Sequence, residues 1–250
     1  MRTDVQSWSS LSTLFLTTLK ACGQIDIVVA NAGLQTTSFW DETLDANGIL
    51  GEPDWGVIDT NLKGIMATVK LALHYFQHNI DPGGRCVIVG SPEGYLLGSR
   101  LSGPIAEYVA SEHGVLCLFS SMLMDQIIGF LRASSHIFPT HKSQISAIAP
   151  WLTKTTFTSP ALLDRWTQAG LPLNSPEDVA KAITTAAIKD MNGKCLFIAG
   201  GDFVEIEEGL EEGVQGWLGA KVGKEWERGI TLLNSLDLVE TDFDKSSTTD

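Results

Sequence analysis

The sequence predicts an α/β fold built on a parallel sheet, and three stretches predict it. Residues 86–89 form a short apolar run between Arg85 and Gly90. That is the pattern of a buried strand, and it places Ser91 at the strand's end. Gly94, Gly98, Gly103 and Pro104 then break regular structure, and from Ala106 small and apolar residues recur at helical spacing through Phe119. Residues 25–30 are the second stretch, a nearly continuous apolar run of the kind a parallel strand shows when buried on both faces. The third is the helix start Ser175-Pro176-Glu177-Asp178, read as N-cap, first helical position and acidic first turn, followed by the apolar run 195–199 as the last strand.

The other elements follow in order. Leu11, Leu14, Phe15 and Leu19 make one helical stripe, with Gly23 placed to cap it, so residues 8–22 read as a helix packed on the sheet. Arg2, Leu14-Phe15-Leu16 and Leu19 to Cys22 have a faint secretory look, which Asp4, Lys20 and the interspersed Ser and Thr interrupt. A long helix is expected from about residue 54 to 76, closed by Pro82-Gly83-Gly84. His74 and His78 share a face of it but lack a third metal ligand, so surface histidines are the simpler reading and no metal site is expected. Residues 127–143 lose clean periodicity and read as an insertion before a strand at 145–149, either a real loop or a stretch kept by a misread gene structure. Residues 155–173 carry a short helix near 162–168, and residues 204–235 read as helical or mixed. Gly209, Gly213, Gly216 and Gly219 lie among Glu207, Glu208, Glu211 and Glu212, whose charge would repel a pyrophosphate. Residues 1–235 are expected to form one domain and 236–250 an acidic disordered tail.

The bulk chemistry narrows the partners. With 250 residues the chain is long enough for a substantial core. A formal net charge of −13 argues against nucleic acid and anionic membrane, whose binding needs Lys and Arg. No apolar run approaches the roughly 20 residues of a membrane span. Cys22, Cys86, Cys117 and Cys195 lie far apart without a Cys-x-x-Cys and read as reduced core thiols, which implies a cytoplasmic chain.

Ser91 at a strand end followed by Tyr108 in the first turn of a helix resembles the short-chain dehydrogenase/reductase family. Three further landmarks occur in the family's order. Val29-Ala30-Asn31-Ala32-Gly33 looks like its Asn-Asn-Ala-Gly, and Asp59-Thr60-Asn61-Leu62-Lys63-Gly64 looks like the helix bearing its catalytic Asn. Ala149-Pro150-Trp151-Leu152-Thr153-Lys154-Thr155 is similar to its Pro-Gly-x-x-x-Thr turn, with Trp151 in place of the Gly. The likeness spans about residues 3–205, where Thr3-Asp4-Val5 already looks like the end of the family's third strand.

The resemblance implies a Rossmann-like doubly wound parallel sheet, truncated at its amino end and without the family's Gly-rich cofactor turn. It implies hydride transfer between NAD or NADP and a carbonyl or alcohol carbon of a small molecule, in a pathway of fungal secondary-metabolite type. Tyr108 would be the acid/base, Ser91 would hydrogen-bond the substrate oxygen and Asn61 would orient a water chain. Asp4, Asn31, Tyr108, Glu112, Thr153 and Thr155 would fall at cofactor-contacting positions. The family's association mode implies homo-oligomers through the helices at 54–76 and 106–125. Residues 25–30 would lose the neighbouring strands and become an exposed apolar edge.

Glu112 departs from the family, which carries Lys four residues after the Tyr. A phenol titrates near 10 and needs a nearby positive charge to work at neutral pH. A carboxylate at about 4 Å, with an effective dielectric near 20, opposes phenolate by about 4 kcal/mol. Read without the family, Glu112 is a solvated helix residue and Asn61 a solvent-facing one. Two other functions therefore compete with the oxidoreductase. One is an impaired or truncated protein that only binds a ligand or another chain. The other is a non-redox isomerase or cyclase using Ser91 and Tyr108.

Overall fold

The computed structural model describes residues 1–35, 39–95, 105–116 and 130–213, together with Gly219, residues 221–224 and Arg228. The segment 117–129 and the expected tail at 236–250 lie outside the described residues. Chain contacts divide the protein into a unit of Met1–Phe119 with Met124–Glu207 and a second unit of Ser120–Leu123 with Glu208–Asp250.

The first unit holds a five-stranded sheet in the order β1 (Ile27–Ala30), β2 (Arg85–Val89), β3 (Gln144–Pro150), β4 (Cys195–Ala199) and β5 (Asp202–Glu205). The first four strands are mutually parallel, and β5 runs antiparallel to β4. β4 is thus not the last strand. Gly200 and Gly201 both adopt positive φ, 61° and 88°, and so form the two-residue turn that sends the chain straight back as β5.

Helices cover both faces. On one, α1 (Trp8–Cys22), α3 (Ile65–Gln77), α4 (Ala106–Leu116) and α5 (Phe130–Ile137) contribute Leu11, Phe15, Val69, Phe76, Val115, Leu116 and Leu131 to a core that includes Cys86, Ile88 and Ile145. On the other, Ala182, Ala186 and Ala187 of α7 (Pro176–Ile188) pack against Val87, Ile148 and Ile198. Alternate residues of β2 and β3 therefore feed the two cores, which is why both strands read as unbroken apolar runs.

Helix α1 begins at the Ser7 cap, whose hydroxyl accepts from the Ser10 N–H, and ends at Gly23 with φ 83°. Its burial of Leu11 and Phe15 makes residues 8–22 a helix of the domain. Helix α7 starts with a reciprocal capping box between Ser175 and Asp178.

Four further expectations change. β1 is buried on one face only: Val28 and Ala30 pack inward, while Ile27 and Val29 are 48% and 40% exposed. It is an edge of the sheet among the described residues, so one face and one row of backbone groups lack a neighbour there. The described part of the expected insertion is no loop. α5 and a 3-10 turn at Phe138–His141 bury Leu131 and Phe138 fully in the core. The long helix is interrupted, since between α2 (Gly56–Ile58) and α3 the backbone makes a π-helical turn over Asp59–Gly64. Of the described cysteines, Cys86 and Cys195 are core thiols but Cys22, at the end of α1, is exposed. Among the described residues no helix is long and apolar enough to cross a membrane.

Candidate active site

The parallel strands β1, β2 and β3 end on the same side of the sheet, and their carboxyl ends carry Asn31, Ser91 and Thr153. Open α/β sheets bind ligands at this edge, because the strand ends and following loops leave a crevice there. Ser91 caps a 3-10 turn over Pro92–Gly94, its Oγ accepting from the Glu93 N–H at 3.3 Å.

Ser91 and Tyr108 meet. The Ser91 hydroxyl lies near enough to the Tyr108 phenol to act on its pKa, and both residues are buried, at 8% and 9% exposure. Tyr108 stands in the first turn of α4, with its ring 6.2 Å from that of Phe157. Its phenol is pushed well above its ordinary value, first by burial and then by Glu112; the nearby Ser91 hydroxyl opposes the shift and Glu93 adds to it. Tyr108 is therefore held as the neutral phenol.

Glu112 is not a solvated helix residue. It is 5% exposed, and its Oε2 is buried without a hydrogen-bond partner. A Cβ placed on Gly90 would lie 3.1 Å from that oxygen, which locates the carboxyl group over the end of β2. Burial pushes its pKa up to about 8; the Ser91 backbone N–H opposes this and Glu93 adds to it. The sequence argument treated Glu112 as a fixed negative charge. In the folded chain desolvation dominates, and the carboxyl group is pushed toward its neutral form.

Asn61 is 1% exposed in the π-helical turn, and so is not a solvent-facing residue. Its Oδ1 accepts from the Leu34 N–H at 2.8 Å, and its Nδ2 donates to the Leu34 carbonyl at 2.9 Å and to Ser111 Oγ at 3.3 Å. Asn61 thereby ties the loop that follows β1 to α4. Ser111 Oγ in turn donates to the Tyr108 carbonyl at 2.7 Å. Sequence reasoning missed Ser111, although its place three residues after Tyr108 puts it on the neighbouring turn of the same helix.

The remaining predicted positions lie around this centre. Asn31 and Thr155 are exposed at the strand-end face. Thr153 Oγ1 donates to the Trp151 carbonyl at 2.9 Å, and Thr155 Oγ1 accepts from the Phe157 N–H at 3.3 Å. Asp4 is exposed, and its Oδ1 accepts from the Gln6 N–H at 3.0 Å near the start of α1. Trp151 packs edge-on against Trp166 of α6 (Pro160–Gln168), centroids 5.0 Å apart, and lies 6.0 Å from Phe197. The large side chain where a Gly was expected thus anchors the segment beyond β3. Asn174, also missed, holds that segment's return: its Nδ2 donates to the Ile198 carbonyl at 3.0 Å.

Among the described residues no group of three or more His, Cys, Asp or Glu could hold a metal ion. His74 and His78 are 4.5 Å apart, but the His78 Nδ1 is engaged by the His74 carbonyl. A dinucleotide would meet exposed polar side chains here, Asn31 and Thr155, beside the buried Ser91, Tyr108 and Glu112.

Comparison with known proteins bears on the family and the fold. The family model for short chain dehydrogenases matches residues 1–165. The short-chain dehydrogenase/reductase prx4 of Penicillium rubens is 28% identical over 239 residues, covering 88% of this chain and 66% of that protein. The short-chain dehydrogenase/reductase ascJ of Acremonium egyptiacum is 30% identical over 215 residues, 84% of this chain and 66% of its own length. The chain therefore spans about two thirds of the length of these relatives. In fold it is similar to a short-chain type dehydrogenase/reductase from Mycobacterium marinum, with a TM-score of 0.63 at 19% identity over 80% of this chain and 74% of that one. A putative short-chain alcohol dehydrogenase from Sinorhizobium meliloti gives 0.61 at 21% identity, over 80% and 74%. Landmarks, sheet and family match converge, and the chain belongs to the short-chain dehydrogenase/reductase family.

Proposed function

We propose that this chain acts as a carbonyl reductase on a small molecule, with NAD or NADP as the hydride source. The carrying observation is the convergence of the buried Ser91 hydroxyl and Tyr108 phenol at the end of β2, with Tyr108 held protonated. Reduction needs a group that gives a proton to the forming alkoxide, and a neutral phenol is that group. Oxidation of an alcohol would need the phenolate, which burial and Glu112 disfavour. The hydride is the contribution of the dinucleotide when bound. Ser91 would direct its hydroxyl at the substrate oxygen, and Tyr108 would transfer its proton there, leaving phenolate. Asn61 keeps the loop after β1 in place by its two bonds to Leu34. Asn31, Thr155 and Glu112 are the residues that would hold the dinucleotide's nicotinamide half. Similarity to fungal relatives supports a substrate from secondary metabolism, and the buried free thiols Cys86 and Cys195 suit the reducing cytoplasm.

The test is oxidation of NADH or NADPH with a panel of ketones and aldehydes. Turnover that is lost in Tyr108→Phe supports the reading, and no turnover with either cofactor on any carbonyl refutes it. A second reading has one observation behind it: Tyr108 as a neutral acid and Glu112 as a base once ionised are the acid/base pair that enolisation or ring closure without hydride would use. Conversion of a substrate without nicotinamide, abolished by Tyr108→Phe, would favour it.

A further inference from the structure

The turn that carries Ser91 is held at two points. Its backbone closes on itself, the Gly94 N–H donating to the Ser91 carbonyl at 3.0 Å and the Tyr95 N–H to the Pro92 carbonyl at 2.9 Å. At the first point it lies directly on α4: a Cβ on Gly94 would stand 2.7 Å from the Glu112 carbonyl oxygen and 3.1 Å from Leu116 Cβ, so only a glycine lets the two backbones approach this closely. At the second, Tyr95 is tied down by its side chain. Its hydroxyl donates to Glu207 Oε1 at 2.6 Å, while Glu207 Oε2 accepts from Arg132 Nε on α5 at 2.6 Å and lies 2.5 Å from Arg132 Nη2. Both carboxylate oxygens are thus engaged, in charge-assisted bonds that are stronger than neutral ones. Glu207 is itself fixed to the sheet: its N–H donates at 2.9 Å to Glu205 Oε1, which also accepts from the Cys195 N–H at 3.2 Å at the start of β4. Glu207 lies 112 residues from Tyr95 and 75 from Arg132, so the tie is no by-product of the local turn.

We propose that Tyr95 is a positioning residue: the Tyr95–Glu207–Arg132 tie fixes the turn after β2 and so sets where the Ser91 hydroxyl stands relative to Tyr108. Its role in turnover rests on the carbonyl-reductase reading. The tie acts through the backbone of residues 91–95. Ser91 is the cap of the 3-10 turn, with its Oγ accepting from the Glu93 N–H, so a shift of the turn moves that oxygen, whereas Tyr108 is carried by α4 and stays. The Ser91 hydroxyl has to meet the substrate oxygen within hydrogen-bond reach, and a misplacement of about 1 Å costs about a hundredfold in rate. Tyr95 packs against the core, and a phenol placed there needs only one acceptor for its O–H, which a neutral carbonyl would satisfy. A carboxylate steadied by an arginine gives the tie a strength and a direction that a lone carbonyl would lack.

The first measurement needs no turnover: amide exchange by NMR on the intact chain, without substrate or dinucleotide. Tyr95→Phe keeps the ring and removes only the hydroxyl. It should speed exchange at Glu93, Gly94 and Tyr95 by about tenfold and leave the amides of β2 and β3 unchanged. Unaltered exchange in the turn, or faster exchange throughout the sheet, overturns the proposal. The second measurement is steady-state reduction, with NADH or NADPH, of the carbonyl that the wild type turns over fastest. In Tyr95→Phe kcat should fall at least about tenfold with KM for the carbonyl unchanged. Glu207→Ala should lose as much, the double variant Tyr95→Phe/Glu207→Ala no more than either, and Glu207→Gln, which keeps an oxygen for the Tyr95 hydroxyl, should recover part of the loss. An unchanged kcat in Tyr95→Phe, or losses that multiply in the double variant, overturns the proposal. Should Glu207→Ala fail to fold, Tyr95→Phe decides by exchange and kcat. Where the wild type reduces no carbonyl but exchange in the turn responds as expected, the tie on Ser91 stands and the reductase reading falls.

Discussion

Burial of Glu112 should make this protein less stable as the pH rises. Its carboxyl group titrates at about 8 when folded, against a reference value of 4.5. Between those values the folded chain holds a proton that the unfolded chain has released. Stability is greatest below pH 4.5 as far as this group is concerned, and it falls as pH rises toward 8. This is the reverse of a salt-bridged carboxylate. The values lie 3.5 pH units apart, and at about 1.4 kcal/mol per unit the whole loss is about 5 kcal/mol. That is a large part of the roughly 5–15 kcal/mol that holds a domain together. Urea unfolding of the wild type and of Glu112→Gln at half-unit steps from pH 5 to 9 measures it. The variant should lack a falling slope of about one proton between pH 5 and 8. Absolute stability at one pH is a poorer guide, because the amide brings polar atoms of its own into the same space. Parallel slopes for the two proteins would show that Glu112 is ionised in the folded chain, and the reasoning would fail.

Three further outcomes are expected. Asn61→Ala strips both backbone partners from Leu34, and should cost about 2 kcal/mol in denaturant melts while speeding amide exchange at Leu34. Gly90→Ala sets a methyl 2.6 Å from Leu116 Cδ1 and 3.1 Å from Glu112 Oε2; overpacking of this kind costs about 1–3 kcal/mol, read as a lowered melting temperature. Cys22 should be alkylated within the time of mixing. Cys86 and Cys195 should react only on unfolding, since burial pushes the Cys86 thiol up to about 12 and the Cys195 thiol higher still.

Much of the sheet was legible because each parallel strand is a compact apolar run with local boundaries. Residues 195–199 are β4 as read, and Ser175-Pro176 opens α7 with its capping box. The elements that were misread are those whose own residues do not set their conformation. Residues 130–137 form only a two-turn helix, and distant partners hold it: Leu131 is wholly buried and Arg132 is bonded to Glu207, 75 residues away. β5 hides in a polar stretch because it is an exposed antiparallel edge, ordered by its pairing with β4. The π-helical turn is equally invisible, since its residues would suit an ordinary helix.

At the site, the sequence by itself determined which groups are present and in what order along the chain: the strand-end Ser91, Tyr108 on the helix that follows, the acid four residues on, and Asn61 before them. Spacing along a strand and a helix is local, so it survives in one dimension. Only the tertiary structure decided the state of those groups. Whether Glu112 is an exposed carboxylate or an enclosed acid, and whether Asn61 faces water or holds a loop, depends on what the packed helices and the end of β2 remove from solvent. Ionisation follows from that desolvation, because the free energy of a charge depends on its surroundings in space.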